Sequence, residues 1–151
     1  MNRDFVEMLC ALSETGAEFI IVGAHALAAH GHPRATGDLD IWIRPGAENA
    51  GRVLRALRKF GAPLLDLTQS DLIRPGTVFQ IGTAPSRIDI LTTITGVSWE
   101  QAWPEVGAPD RRNRSRRSLC SCSCAQSGSV WYLGSHSARK SNPRQRRLDR
   151  M

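Results

Sequence analysis

Apolar residues recur along this chain with two different periods, and the alternation between them predicts its elements. Over residues 3–15, Phe5, Met8, Leu9 and Leu12 return at helical spacing, with Gly16 as the stop. The run Phe19-Ile20-Ile21-Val22 ends at Gly23 and predicts a strand over 18–22, followed by a short alanine-rich helix over 24–31. After the turn-rich link Gly31-His32-Pro33-Arg34, residues 38–43 alternate, so Leu39, Ile41 and Ile43 face a core while Asp38 and Asp40 share the opposite face. Arg44-Pro45-Gly46 ends that strand. Val53, Leu54, Leu57 and Phe60 form one stripe of a helix over 47–60, closed by Gly61. Residues 63–74 are ambiguous, although Thr68 can cap a short helix through Leu72 before Pro75-Gly76. Residues 77–81 and 87–92 read as strands joined by a hairpin loop over 82–86, and a last short helix runs from about 98 to 103, stopping before Pro104. The pattern contains no internal repeat. It predicts an α/β fold, a small mixed sheet flanked by helices.

Beyond Pro109 the periodicity disappears. Residues 110–117 are almost all charged, residues 119–129 interleave Ser and Cys, and the rest scatters Arg around one apolar cluster, Val130-Trp131-Tyr132-Leu133. This divides the chain into a domain, 1–108, and a basic tail, 109–151, for which the composition predicts disorder. It also fits a coding sequence read out of frame. The formal net charge of +6 hides the division. Residues 1–108 carry 9 Lys/Arg against 12 Asp/Glu, and 109–151 carry 11 Lys/Arg against 2 Asp. The basic balance therefore describes the tail, which could contact RNA phosphates, and not the domain. No apolar run approaches the roughly 18 residues of a membrane span, and the first residues lack a secretion-signal pattern. No membrane partner and a cytoplasmic location are the expectation. Cys120, Cys122 and Cys124 are spaced too closely for the usual zinc knuckle, and Cys10 reads as a core thiol.

Asp38 and Asp40 change the picture, because adjacent carboxylates on one strand face repel unless a cation lies between them. If the strand holding Asp89 lies beside theirs, Asp89 joins them. Three carboxylates suit divalent cations with a preference for oxygen, magnesium or manganese, which would hold a nucleoside triphosphate and activate an attacking oxygen. Gly23 at the head of a helix offers backbone N–H groups to phosphate, and Arg34 offers a further positive charge. Each feature has a plainer reading. The aspartate pair also fits a solvated strand face, Asp89 a surface carboxylate paired with Arg87 or Arg74, and Gly23 a tight turn. His25, His30 and His32 are poorly spaced for one metal site, and Asp66 and Asp71 read as surface groups.

The series Val22-Gly23-Ala24, Asp38-Leu39-Asp40-Ile41 and Arg87-Ile88-Asp89-Ile90-Leu91, with His30-Gly31-His32-Pro33-Arg34-Ala35-Thr36 between, resembles the nucleotidyltransferase superfamily. The resemblance is to its minimal, abortive-infection-toxin-like bacterial members and covers about residues 5–105. It implies the nucleotidyltransferase fold, with Asp38 and Asp40 binding both metals and Asp89 binding the catalytic one and helping to activate the acceptor hydroxyl. It implies transfer of nucleoside monophosphate from an NTP to a hydroxyl on RNA or protein, and an antitoxin partner. Gly23, Ala24 and Arg34 would contact nucleotide. Ala24 stands where the family carries Gly or Ser, so a serine contact to phosphate is missing. Relatives continue with helices that complete the core, and the tail has no such pattern. The alternative is a catalytically inactive binding or regulatory module of the same fold, or a truncated product.

Overall fold

A computed structural model describes residues 2–29, 31–32, 35–64, 66–83 and 85–107, with the backbone alone at 29 and 104–107. The tail assigned to 109–151 lies outside the described residues. The elements run α1 (Arg3–Glu14), β1 (Phe19–Val22), α2 (Gly23–Ala29), β2 (Asp38–Ile43), α3 (Ala47–Phe60), α4 (Gln69–Ile73), β3 (Val78–Thr83), β4 (Ser86–Leu91) and α5 (Trp99–Gly107). The strands form one mixed sheet in the order β1-β2-β4-β3, in which β2 and β4 are parallel and both outer pairs antiparallel. A parallel pair cannot be joined by a tight turn. Here α3 and α4 carry the chain across one face, and the β3–β4 hairpin brings β4 in beside β2.

That first face holds most of the core. Leu39, Ile41 and Ile43 of β2 and Ile88 and Ile90 of β4 pack under Met8 and Leu12 of α1, Val53 and Leu57 of α3, and Leu72 of α4. These side chains are at most 2% exposed, and each fully buried aliphatic group contributes about 1.5–3 kcal/mol. The period-two reading of 38–43 thus matches the burial: Leu39, Ile41 and Ile43 are fully buried under α1, α3 and α4, and Asp38 and Asp40 lie half-buried on the other face. One polar side chain fastens the strand ends. Asn49 of α3, 5% exposed, donates from Nδ2 to the carbonyls of Glu18 and Arg44, both at 2.9 Å, and its Oδ1 accepts from the Glu18 N–H at 2.7 Å.

The second face carries a smaller cluster of Ile20, Val22, Trp42, Trp99 and Ala102. Trp42 follows Asp40 by two residues and so shares its face. Its ring meets Trp99 edge-on at 5.1 Å, Trp103 stacks on Trp99, and Trp42 Nε1 donates to the Thr92 carbonyl at 3.2 Å. Helix ends depart from the sequence pattern at α2, which runs Gly23–Ala29 where 24–31 is expected, and at α5, whose Trp99 and Ala102 pack in this cluster. α5 does not stop at Pro104 but continues to Gly107. A proline inside a helix removes the bond to the carbonyl four residues back, here on exposed Glu100, while Trp99 and Ala102 hold the helix on Trp42. The short helix near Thr68 does form. Thr68 and Asp71 make a reciprocal capping box, with the Thr68 N–H donating to Asp71 Oδ2 at 2.8 Å. The loop expected over 82–86 is shorter, because β3 extends to Thr83 and β4 starts at Ser86.

Candidate active site

The predicted carboxylates come from the two central strands. Parallel pairing sets Asp40 opposite Asp89 and Asp38 opposite Arg87. Residues directly opposite in a ladder carry side chains on the same face, so all four lie on the second face of the sheet. Val22 on β1 and Gln80 on β3 extend the Asp40–Asp89 row across all four strands.

Their environments differ. The Asp38 side chain is 37% exposed, whereas that of Asp89 is only 9% exposed. Burial, followed by repulsion from the Asp89 and Asp38 carboxylates, raises the Asp40 pKa above its ordinary value, and Arg87 and His25 only partly oppose this. Among the described residues no cation pairs directly with Asp40.

Arg87 spans the other two carboxylates. Its Nη2 donates to Asp38 Oδ2 at 3.1 Å, and its Nε lies 2.9 Å from Asp89 Oδ1. The second contact is an ion pair without hydrogen-bond alignment: both the Arg87 Nε and the Asp89 Oδ1 are buried and lack a hydrogen-bond partner. The sequence reading offered Arg87 as the partner of a surface Asp89. The pairing occurs, but Asp89 is buried and Arg87 engages Asp38 as well. Its position two residues before Asp89, on the same strand face, was the available signal.

Gly23 borders this group. It adopts φ +69°, and a Cβ there would overlap Asp40 Oδ2 and lie 3.1 Å from Asp40 Cγ. Glycine therefore permits both the left-handed turn from β1 into α2 and the close approach to Asp40. Ala24 is half-buried in the first turn of α2. Arg34 lies outside the described residues, as does His30. His32 is exposed. His25 sits edge-on to Phe5 at 5.5 Å with Nε2 buried and unpartnered, and burial lowers its pKa although Asp40 acts in the opposite sense.

The donor set fits a hard divalent cation on two observations: it is all carboxylate oxygen, and Asp89 Oδ1 is a buried acceptor with unused capacity. Among the described residues, no group of three acidic, histidine or cysteine side chains is already drawn together for a metal ion. Arg87 contacts two of the three candidates instead. A groove lined by Leu64, Asp71, Arg74, Val78 and Phe79 runs beside the edge strand β3, and none of the candidate residues lines it. No helix among the described residues is long and apolar enough to cross a membrane. Comparison of the chain with protein-family models, curated proteins and solved structures finds no match.

Proposed function

We propose that this chain is a minimal nucleotidyltransferase that transfers nucleoside monophosphate from an NTP to a hydroxyl on RNA or protein, as the toxin of a toxin–antitoxin pair. The observation that supports it best is the register of Asp40 against Asp89, with Asp38 on the same face and Gly23 against Asp40. Asp38, Asp40 and Asp89 would hold magnesium or manganese. Bound there, the metal would supply charge neutralisation of the triphosphate and activation of the attacking oxygen.

The remaining work falls to the chain. The turn at Gly23 lets the Asp40 carboxylate pack directly against the backbone, and nucleotide would be met by Gly23 and Ala24 beside that carboxylate. Asp89, buried beside the Arg87 guanidinium, would help to activate the acceptor hydroxyl, taking its proton as the new P–O bond forms and pyrophosphate leaves. The fold of the reading is the nucleotidyltransferase fold.

Thermal melts with and without manganese test this reading. Metal that binds the folded state raises the melting temperature. The rise should be large in the unaltered protein and small in Asp40→Asn and Asp89→Asn, and transfer of labelled NMP to total RNA or protein should vanish in both. Equal shifts in all three proteins would refute the three-carboxylate site. A second reading, an inactive module of the same fold, is favoured by one observation, the Arg87 guanidinium already paired with Asp38 and Asp89. It predicts no metal response in any of the three.

A further inference from the structure

We infer that Arg87 is an internal counter-cation of the carboxylate group, held in place until a divalent cation displaces it. The inference rests on the metal-site reading above and adds a competitor to it. Three carboxylates on one sheet face need positive charge whether or not a metal is present. Arg87 is the charge that the fold itself supplies: it reaches Asp38 across the strands and Asp89 along its own strand.

The two contacts are unequal in a way that suits a placeholder. The bond to Asp38 is aligned at 3.1 Å and half-exposed, so water can replace it at little cost. The contact to Asp89 neutralises charge yet leaves both Nε and Oδ1 without a hydrogen bond. A buried acceptor left in that condition is costly. A cation on Asp89 would satisfy the oxygen and release Nε towards solvent, which the 34% exposed Arg87 side chain can reach by moving its head group. The guanidinium and the metal thus compete for Asp38 and Asp89, and the apparent metal affinity of the chain is reduced by the presence of Arg87.

The test uses the full chain and three readouts. In metal-free buffer, Arg87→Gln should lower the urea midpoint, and the same substitution should lower it far less in an Asp38→Asn/Asp89→Asn background. In manganese titrations by calorimetry, Arg87→Gln should bind roughly tenfold more tightly than the unaltered protein, with Arg87→Lys between them. A magnesium titration should also move the Arg87 Nε–H signal in the NMR spectrum, identified by its loss in Arg87→Lys. Equal midpoint losses in both backgrounds, or manganese bound equally or less tightly by Arg87→Gln, would overturn the counter-cation role and leave the metal site standing. An unmoved Arg87 signal in a protein that binds magnesium would do the same. If no protein binds manganese, the metal-site reading fails and the competition fails with it, whereas the metal-free arm still reports the pairing. Should Arg87→Gln fail to fold, Arg87→Lys carries both arms.

Discussion

Gly23→Ala separates the two demands made on that residue. The first is conformational. A left-handed φ of +69° costs an alanine about 1–2 kcal/mol, offset by about 0.4–1 kcal/mol because alanine also restricts the unfolded chain. Gly16 provides a matched reference. Its φ is also +69°, and a Cβ there would meet nothing within 4 Å, so Gly16→Ala should cost only about 1 kcal/mol. The second demand is steric. At Gly23 the new Cβ falls on the Asp40 carboxylate, and turning the carboxylate about its Cβ–Cγ bond moves Oδ2 but leaves Cγ in a tight 3.1 Å contact. Overpacking of this kind costs about 1–3 kcal/mol, so Gly23→Ala should lose about 2–4 kcal/mol in all. Urea unfolding measures both at constant m-value. The steric part depends on the Asp40 side chain: it should disappear in Asp40→Ala and persist in Asp40→Asn, which keeps the shape and removes the charge. Equal losses at Gly16 and Gly23, or a Gly23 loss unchanged in Asp40→Ala, would refute the argument that Asp40 packs against the glycine.

Three further outcomes follow from other parts of the fold. Trp42→Ala should cost about 3–5 kcal/mol in chemical unfolding, and Trp42→Phe less, chiefly the bond to Thr92. Asn49→Ala should cost about 2–4 kcal/mol, because it strands the Glu18 N–H and the carbonyls of Glu18 and Arg44; a loss under 1 kcal/mol would mean that water replaces Asn49. The raised Asp40 pKa means that the folded state binds the proton more tightly than the unfolded state. Stability attributable to Asp40 should therefore be greatest below its unfolded pKa and fall as pH rises through the raised folded value. The advantage of Asp40→Asn over the unaltered protein should grow across that window, and a constant difference from acid to neutral pH would count against it.

Local pattern in the sequence carried the parity of the central strand well. Alternation alone put Leu39, Ile41 and Ile43 on one face and Asp38 and Asp40 on the other, because side-chain direction in a strand is a local property. The hairpin that delivers Asp89 was readable from residues 77–92 for the same reason. The opposition of Asp40 to Asp89 depended on β4 pairing with β2, a non-local choice that the sequence reading could state only as a condition. The pairing of Arg87 with Asp89 was readable from their spacing on one strand, whereas its second partner, Asp38, lies on a different strand and was not. Trp42 went unassigned because its burial depends on Trp99, far along the chain. Pro104 does not stop α5, which continues to Gly107 and is held on Trp42 by Trp99 and Ala102, a contact between distant parts of the chain. Arg34 and the tail lie beyond the described residues, and the structure leaves those readings where the sequence put them.

The tryptophan ladder has an optical consequence. Trp42 and Trp99 at 74° and Trp99 and Trp103 at 23°, each pair with ring centroids 5.1 Å apart, are close enough for their electronic transitions to couple. The near-ultraviolet circular dichroism should therefore contain a coupled signal that single Trp→Phe substitutions remove in a non-additive way. Trp42 stands on the same strand face as Asp40 and two residues from it. A paramagnetic ion held by the carboxylates would quench the fluorescence of Trp42 far more than a diamagnetic one would, giving the chain a built-in reporter of occupancy that needs no label and no substrate.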